Sequence, residues 1–193
     1  MTIEAVTPAL LARLDTEASD DRRKGIHRPT VALVIRHTKS NRFLVVMGKK
    51  DQVGGAENPG IVKGGIDIGE HIIEAAHREA EEEIRVVRAQ LDIVAYCGAY
   101  SVHSIKKKEN FDRKRYFVFY AKYNGTRTLD VSADEITDYA WIKSGDIGKV
   151  LRPLRKKRIG KYKALLKIFS AIRKTKKKHL HDVEQTTKAQ SAS

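Results

Sequence analysis

The residues of this chain best placed to do chemistry are Glu79, Glu82 and Glu83. They stand three and four positions apart, so an α-helix with 3.6 residues per turn gathers them on one face. Like charges stacked in this way repel. A helix that needed only solvation would interleave lysines, whereas three carboxylates converging with no cation between them make a seat for a hard divalent metal. Upstream, Gly64, Gly65 and Gly69 read as a flexible loop together with Asp67. Glu70 stands at the end of that loop, where the positive end of a helix dipole favours a carboxylate. Divalent ions held by several carboxylates neutralise negative charge and activate a bound water, which is the chemistry such a cluster suits.

The helix that carries the cluster is legible from its other residues. Ile72, Ile73, Ala76 and Ala80 recur at helical spacing and give the segment a side that packs, next to the side that binds. Before it, RPTVALVIRH and RFLVVMGKK are β-branched, apolar runs joined by TKSN, a hairpin signal, and DQVGGAENPG has loop composition. After it, LDIVAYCGAYSV and RYFVFYAKY read as strands separated by the basic loop HSIKKKENFDRK. A short strand, EITDYAWI, follows, and then SGDIGKVL, in which Ser144 can cap a short helix. A last helix over residues 155–174 carries Ile159, Tyr162, Leu165, Leu166, Phe169 and Ile172 at spacings of three and four. Strands on both sides of one helix, with a second helix at the end, imply an α/β sandwich.

The domain is expected over residues 26–173. An N-terminal extension, 1–25, holds a short helix over residues 8–14 followed by a polar linker, and a tail at 174–193, low in apolar residues, is read as disordered. At 193 residues and 41% apolar content the chain suits one globular unit. No run of about 18 apolar residues is present to span a bilayer, and the first residues carry acids rather than the basic and apolar blocks of a signal peptide, so a cytoplasmic protein is expected. Cys97 is the only cysteine and lies in an apolar stretch, which excludes an internal disulfide and reads as a core filler. Residues 149–178 hold fourteen Lys and Arg and no acid, which equals the whole net charge of +14. That segment is either a solvated face or a contact for RNA or another polyanion.

The stretch from Gly64 to Val86 resembles the signature of the Nudix hydrolases. Gly64, Glu70, Arg78, Glu79, Ala80, Glu82, Glu83 and Val86 keep its spacings. Ala80 is a small member of the aliphatic class the signature asks for, and Arg85 stands where it has Gly. That Gly ends the helix in a left-handed turn, so Arg85 means a different exit or a strained one costing roughly 1 kcal/mol. The resemblance implies a mixed β-sheet between helices. It also implies that Glu79 and Glu83 ligate Mg²⁺ or Mn²⁺, that Glu82 ligates a further ion or takes the proton from water, and that the backbone carbonyl of Lys63 adds an oxygen. Arg78 would brace the loop that holds Glu70, and, four residues from Glu74 and from Glu82, it can also pair with both on the helix surface.

Beyond the signature, RPTVALVI, VKGGIDIGE, RKRYFVFYAKYNG and DEITDYAWI look like the subgroup acting on dinucleoside polyphosphates and RNA 5′ triphosphate ends. In that subgroup a Glu precedes the late aromatic-containing strand, which makes Glu135 a second base candidate beside Glu82. GIVKGG lacks the aromatic usual before the signature loop. That gap keeps open the diphosphoinositol polyphosphate phosphohydrolases, whose densely charged substrates suit Lys49, Lys50 and Lys63. In the basic loop, Lys106, Lys107, Lys108, Arg113 and Lys114 either contact substrate phosphates or form a solvated hairpin tip. The expected partner is a phosphorylated small molecule or an RNA 5′ end, with no membrane and an undefined oligomeric state.

Overall fold

The computed structural model describes residues 3–25, 28–48, 58–103, 113–132, 134, 136–154 and 158–190, with only the helical path given for 175–190. Its regular elements, in chain order, are β1 (Glu4–Ala5), α1 (Pro8–Arg23), β2 (Arg28–His37), β3 (Phe43–Gly48), β4 (Asn58–Gly60), β5 (Val62–Gly65), α2 (Ile72–Ile84), a 3₁₀ turn (Arg88–Gln90), β6 (Leu91–His103), β7 (Arg113–Tyr123), β8 (Ile136–Ile142), α3 (Ile147–Val150) and α4 (Ile159–Gln190).

β2 is the spine. Its near-continuous apolar run suits a strand with both faces covered. Val31, Leu33 and Ile35 point into one core and Ala32 and Val34 into the other, all at most 1% exposed. β7 runs parallel to β2 along its whole length, from Arg28 opposite Lys114 to His37 opposite Tyr123. On its other edge β2 meets β5 antiparallel at Thr30–Leu33 and then β3 at Arg36, so the sheet divides there. β3 continues outward to β4 and β8, and β6 continues from β7 to the short β1. The result is a mixed sheet with α1 and α2 on one face and α3 and α4 on the other, the sandwich expected from the sequence.

Four local details differ from the sequence reading. Gly64 and Gly65 lie in β5, paired with Val31 and Thr30, because an open strand edge on β2 captures their backbone. The first helix runs on from Leu14 to Arg23, since Ala18 continues its buried stripe one turn further (5% exposed). α3 starts behind Asp146, not Ser144, and without a side-chain cap. α4 begins at Ile159 and continues to Gln190; no Gly or Pro occurs after Gly160 to interrupt it, and Lys, Gln, Glu and Ala are good helix formers.

α1 is packed into the main core, with Leu10, Leu14 and Ala18 buried beside β2 and α2. Arg115 of β7 ties it down through Glu17 (2.7 Å) and Asp21 (3.2 Å). Cys97 is fully buried and burial pushes its thiol up to about 12, so it stays protonated and fills space. Among the described residues no helix is long and apolar enough to cross a membrane.

Candidate active site

α2 stands over β5, with Ile72, Ala76, Ala80 and Ile84 seated on the core. One turn apart on the side towards β5, Glu79 and Glu83 are buried at 7% and 3% exposure, while the Glu82 side chain is 57% exposed at the edge of the cluster. Glu83 holds both ends of Lys63: the backbone N–H of Lys63 donates to Oε2 (3.2 Å), and its Nζ lies 3.8 Å from Oε1. The carboxylate of Glu79 lies directly on Gly64. A Cβ at that position would come within 1.7 Å of Cδ and 1.8–1.9 Å of both oxygens. Glycine is required at this point by the close approach of an acid, not by a positive φ.

Arg78 ties the cluster to the preceding loop. Its Nε and Nη2 donate to the two oxygens of Glu70 (2.8 and 2.9 Å), and Nη2 also donates to the Gly65 carbonyl (2.7 Å). Nη1 donates to Glu79 (2.7 Å) and Glu82 (3.0 Å). The Arg78 hydrogen bond, with help from the Asp67 N–H, holds the Glu70 carboxyl below its ordinary value. Of the two helix-surface partners expected for Arg78, Glu82 is engaged and Glu74 is not. Glu74 instead takes a two-bonded pair from Arg88 (2.6 and 2.8 Å), a fork-to-carboxylate geometry stronger than a single bond along the helix.

Arg85 adopts the left-handed conformation, φ 52° and ψ 32°, so the strained exit is the one the chain uses. The N–H of Arg85 bonds to the Glu81 carbonyl, the bond of the αL motif that a glycine ordinarily closes, and that of Val86 reaches the Ala80 carbonyl.

α1 supplies two groups that sequence reasoning missed. Asp15 accepts from the Ile72 N–H through Oδ1 and contacts His71 Nδ1 through Oδ2, both at 2.7 Å, and so caps α2 from outside, where His71 provides no side-chain cap. Arg22 Nη2 donates to the Ile66 carbonyl. No local pattern in the sequence marks either contact, because their partners lie 57 and 44 residues away.

The remaining candidates are less centrally placed. Arg113 and Lys114 open β7, with Lys114 in register with Arg28, and β2 separates that strand from β5. Lys49, Lys106 and Glu135 lie outside the described residues, as do Lys50, Lys107 and Lys108.

The donors fit a hard divalent cation: two buried carboxylates, a third at the rim, and a cradle over Gly64 that a methyl group would fill. Among the described residues no three carboxylate, imidazole or thiol groups converge as a closed cage.

A family model described as the NUDIX domain matches residues 26–166. The chain belongs to the NUDIX domain family, and is an enzyme of its hydrolase class. Similar solved structures include an Ap4A hydrolase of C. elegans in a binary complex, 19% identical, covering 76% of this chain and 96% of that one with a TM-score of 0.55. A dihydroneopterin triphosphate pyrophosphohydrolase of E. coli is 16% identical, with 69% and 98% covered and a TM-score of 0.52. A MutT protein from Methanosarcina mazei Go1 is 15% identical, with 79% and 96% covered and a TM-score of 0.54. At these identities the likeness is one of fold. No curated protein matches the chain by sequence.

Proposed function

We propose that this protein hydrolyses a phosphoanhydride bond in a nucleoside polyphosphate-type substrate of the cytoplasm, such as a dinucleoside polyphosphate or triphosphate-ended RNA, using Mg²⁺ or Mn²⁺. The observation that carries the proposal is the burial of Glu79 and Glu83 one turn apart against β5, with Glu82 at the rim, a set of oxygen donors suited to a hard divalent cation in addition to the Arg78 and Lys63 cations already beside them. Glu79, Glu83 and the Lys63 carbonyl would hold the metal, which when bound neutralises phosphate charge and lowers the pKa of a bound water. Glu82, at the rim and tethered by Arg78, takes the water's proton or joins a further ion, with Glu135 as the alternative base. Lys63 Nζ, already beside Glu83, supplies positive charge to a bound phosphate, and Lys49, Lys106, Arg113 and Lys114 extend that role outward. Two of the similar structures are named for hydrolysis of Ap4A and of a triphosphate, and this supports the substrate class.

The test is hydrolysis, read by chromatographic separation of the products, of diadenosine tetraphosphate, triphosphate-ended RNA, inositol pyrophosphate, ADP-ribose and 8-oxo-dGTP, each with Mg²⁺ and with chelator. Glu83→Gln should abolish turnover and leave the fold intact, because Gln retains an oxygen to accept the Lys63 N–H. Metal-dependent turnover of the inositol substrate alone would move the assignment to that class, and no turnover on any substrate would overturn the proposal.

A further inference from the structure

We infer that α1 is part of the catalytic apparatus: Asp15 and Arg22 are positioning residues that span the loop carrying Glu70 and fix both of its ends. Both lie outside the residues matched by the family model, which begin at 26.

The two residues are seven positions apart, two helical turns, so they share a face and stand about 10 Å apart along the axis. Leu14 and Ala18, fully or almost fully buried on the adjoining stripe, fix the helix on the core. Arg22 reaches the Ile66 carbonyl, where the chain leaves β5, and Asp15 reaches His71 and the Ile72 N–H, where it enters α2. A helix therefore acts as a rigid spacer across the mouth of the loop. Arg115 holds the spacer in turn through Glu17 and Asp21, and the cation of Arg115 sits 4.9 Å from the centre of the Phe117 ring in the core.

Within the loop, the Asp67 N–H donates to Glu70 (2.8 Å), Glu70 takes two bonds from Arg78, and Arg78 donates to Glu79. Polar contacts joined by the loop backbone thus run from α1 to a carboxylate proposed to hold the metal. If the loop ends drift apart, Glu70 and Arg78 lose their register and Glu79 loses its partner. Groups of this supporting kind alter metal affinity or activity by about 10–100-fold when removed, and Asp15 and Arg22, one step further out, should act at about the lower end of that range.

The experiment uses the full chain and the variants Asp15→Ala, Asp15→Asn, Arg22→Ala and Arg22→Lys. Three quantities are read: amide hydrogen exchange across residues 66–72, Mn²⁺ affinity by titration calorimetry, and kcat and KM on whichever panel substrate the wild type turns over. Asp15→Ala and Arg22→Ala should speed exchange in that loop, weaken Mn²⁺ binding and lower kcat by about tenfold, and leave KM little changed. Asp15→Asn, which keeps an oxygen for the Ile72 N–H, should restore most of the loss. Faster loop exchange with unchanged Mn²⁺ affinity and kcat would make α1 a structural element only and overturn the inference, as would unchanged exchange. The inference rests on the hydrolase reading for its kinetic arm alone. A wild type that turns over no substrate defeats that reading, while loop exchange and Mn²⁺ binding still decide whether α1 sets the site.

Discussion

Gly64→Ala adds one methyl group at the point where the structure leaves no room for it. The new Cβ would stand 1.7 Å from the Glu79 Cδ, while ordinary contact begins at 3.4 Å, so the carboxylate must move by the difference, about 1.7 Å. The backbone is held in place by the pairing of Gly64 with Val31 of the buried strand β2. The carboxylate must therefore swing away, giving up its 2.7 Å bond to Arg78. A charge-assisted bond of this kind is worth about 2 kcal/mol, or roughly 4–8 °C in Tm for a chain of this length. A displacement beyond 1 Å at a reacting centre lowers the rate by about 100-fold or more, and Mn²⁺ affinity should fall with it.

The neighbouring glycine is the control. A Cβ on Gly65 would meet only the Arg28 guanidinium at 3.6–3.8 Å, ordinary contact, so Gly65→Ala should keep stability, metal binding and turnover. The double variant Gly64→Ala/Glu79→Ala removes the side chain that clashes. Its loss of stability should be smaller than the sum of the Gly64→Ala and Glu79→Ala losses, as expected for residues in contact, while its turnover is abolished. Thermal unfolding, Mn²⁺ calorimetry and substrate turnover on the wild type, Gly64→Ala, Gly65→Ala, Glu79→Ala and the double variant decide the matter. Wild-type turnover and Mn²⁺ affinity in Gly64→Ala would refute the reasoning, because they would mean the Glu79 carboxylate has no fixed place to lose.

Arg85→Gly should stabilise the protein by about 1 kcal/mol by removing a side chain from a left-handed position, read as a small rise in Tm with activity unchanged; no rise would mean that the turn carries no strain. The folded-state pKa of Glu70 is depressed, so its contribution to stability is present above the ordinary carboxylate value of 4.5 and is lost as pH falls through the lower folded value. Tm against pH should therefore drop on the acid side in the wild type and drop less in Glu70→Gln, and parallel curves would sink the assignment of that shift to Arg78. On α4, Lys163, Lys167, Arg173 and Lys174 are exposed while Leu165, Ile168, Phe169 and Ile172 face the core. Replacing the four cations with Gln should weaken binding of single-stranded RNA and reduce the slope of log K against log salt by about 0.7 for each phosphate that is no longer neutralised; a wild-type affinity indifferent to salt would return this face to plain solvation.

The sequence made the site visible where the relevant geometry is local. Glu79, Glu82, Glu83 and Arg78 belong to one helix, and helical spacing alone relates their positions. It was silent where contacts come from far along the chain. Asp15 meets Ile72 across 57 residues and Arg22 meets Ile66 across 44, and nothing in a run of polar residues announces such partners. Gly64 and Gly65 carry loop composition, yet pairing with β2 overrides it, and the glycine serves an acid fifteen positions later. Glu74 was available to Arg78 on the helix surface, but Arg78 is drawn the other way by Glu70 and Arg88 offers Glu74 a better fit. In each case a tertiary partner outcompeted a local one.

Arg78 shows why the acids do not repel the helix apart. A guanidinium has five N–H donors, and here one from Nε, two from Nη1 and two from Nη2 reach Glu70 twice, Glu79, Glu82 and the Gly65 carbonyl. No donor remains for a substrate phosphate, so the role of Arg78 is to place other groups, and a lysine, with three donors on one point charge, cannot reproduce it. The same saturation divides the carboxylates by function. Glu70 spends both oxygens on Arg78 and is committed to holding the loop, Glu82 gives one and stays in solvent, and Glu83 engages Lys63 instead. Glu79 connects the two halves, with one oxygen on Arg78 and its carboxylate against Gly64. A displacement of the loop is therefore felt first at Glu79, which makes the distance between the ends of α1 and the fit of a metal in this site parts of one mechanical problem.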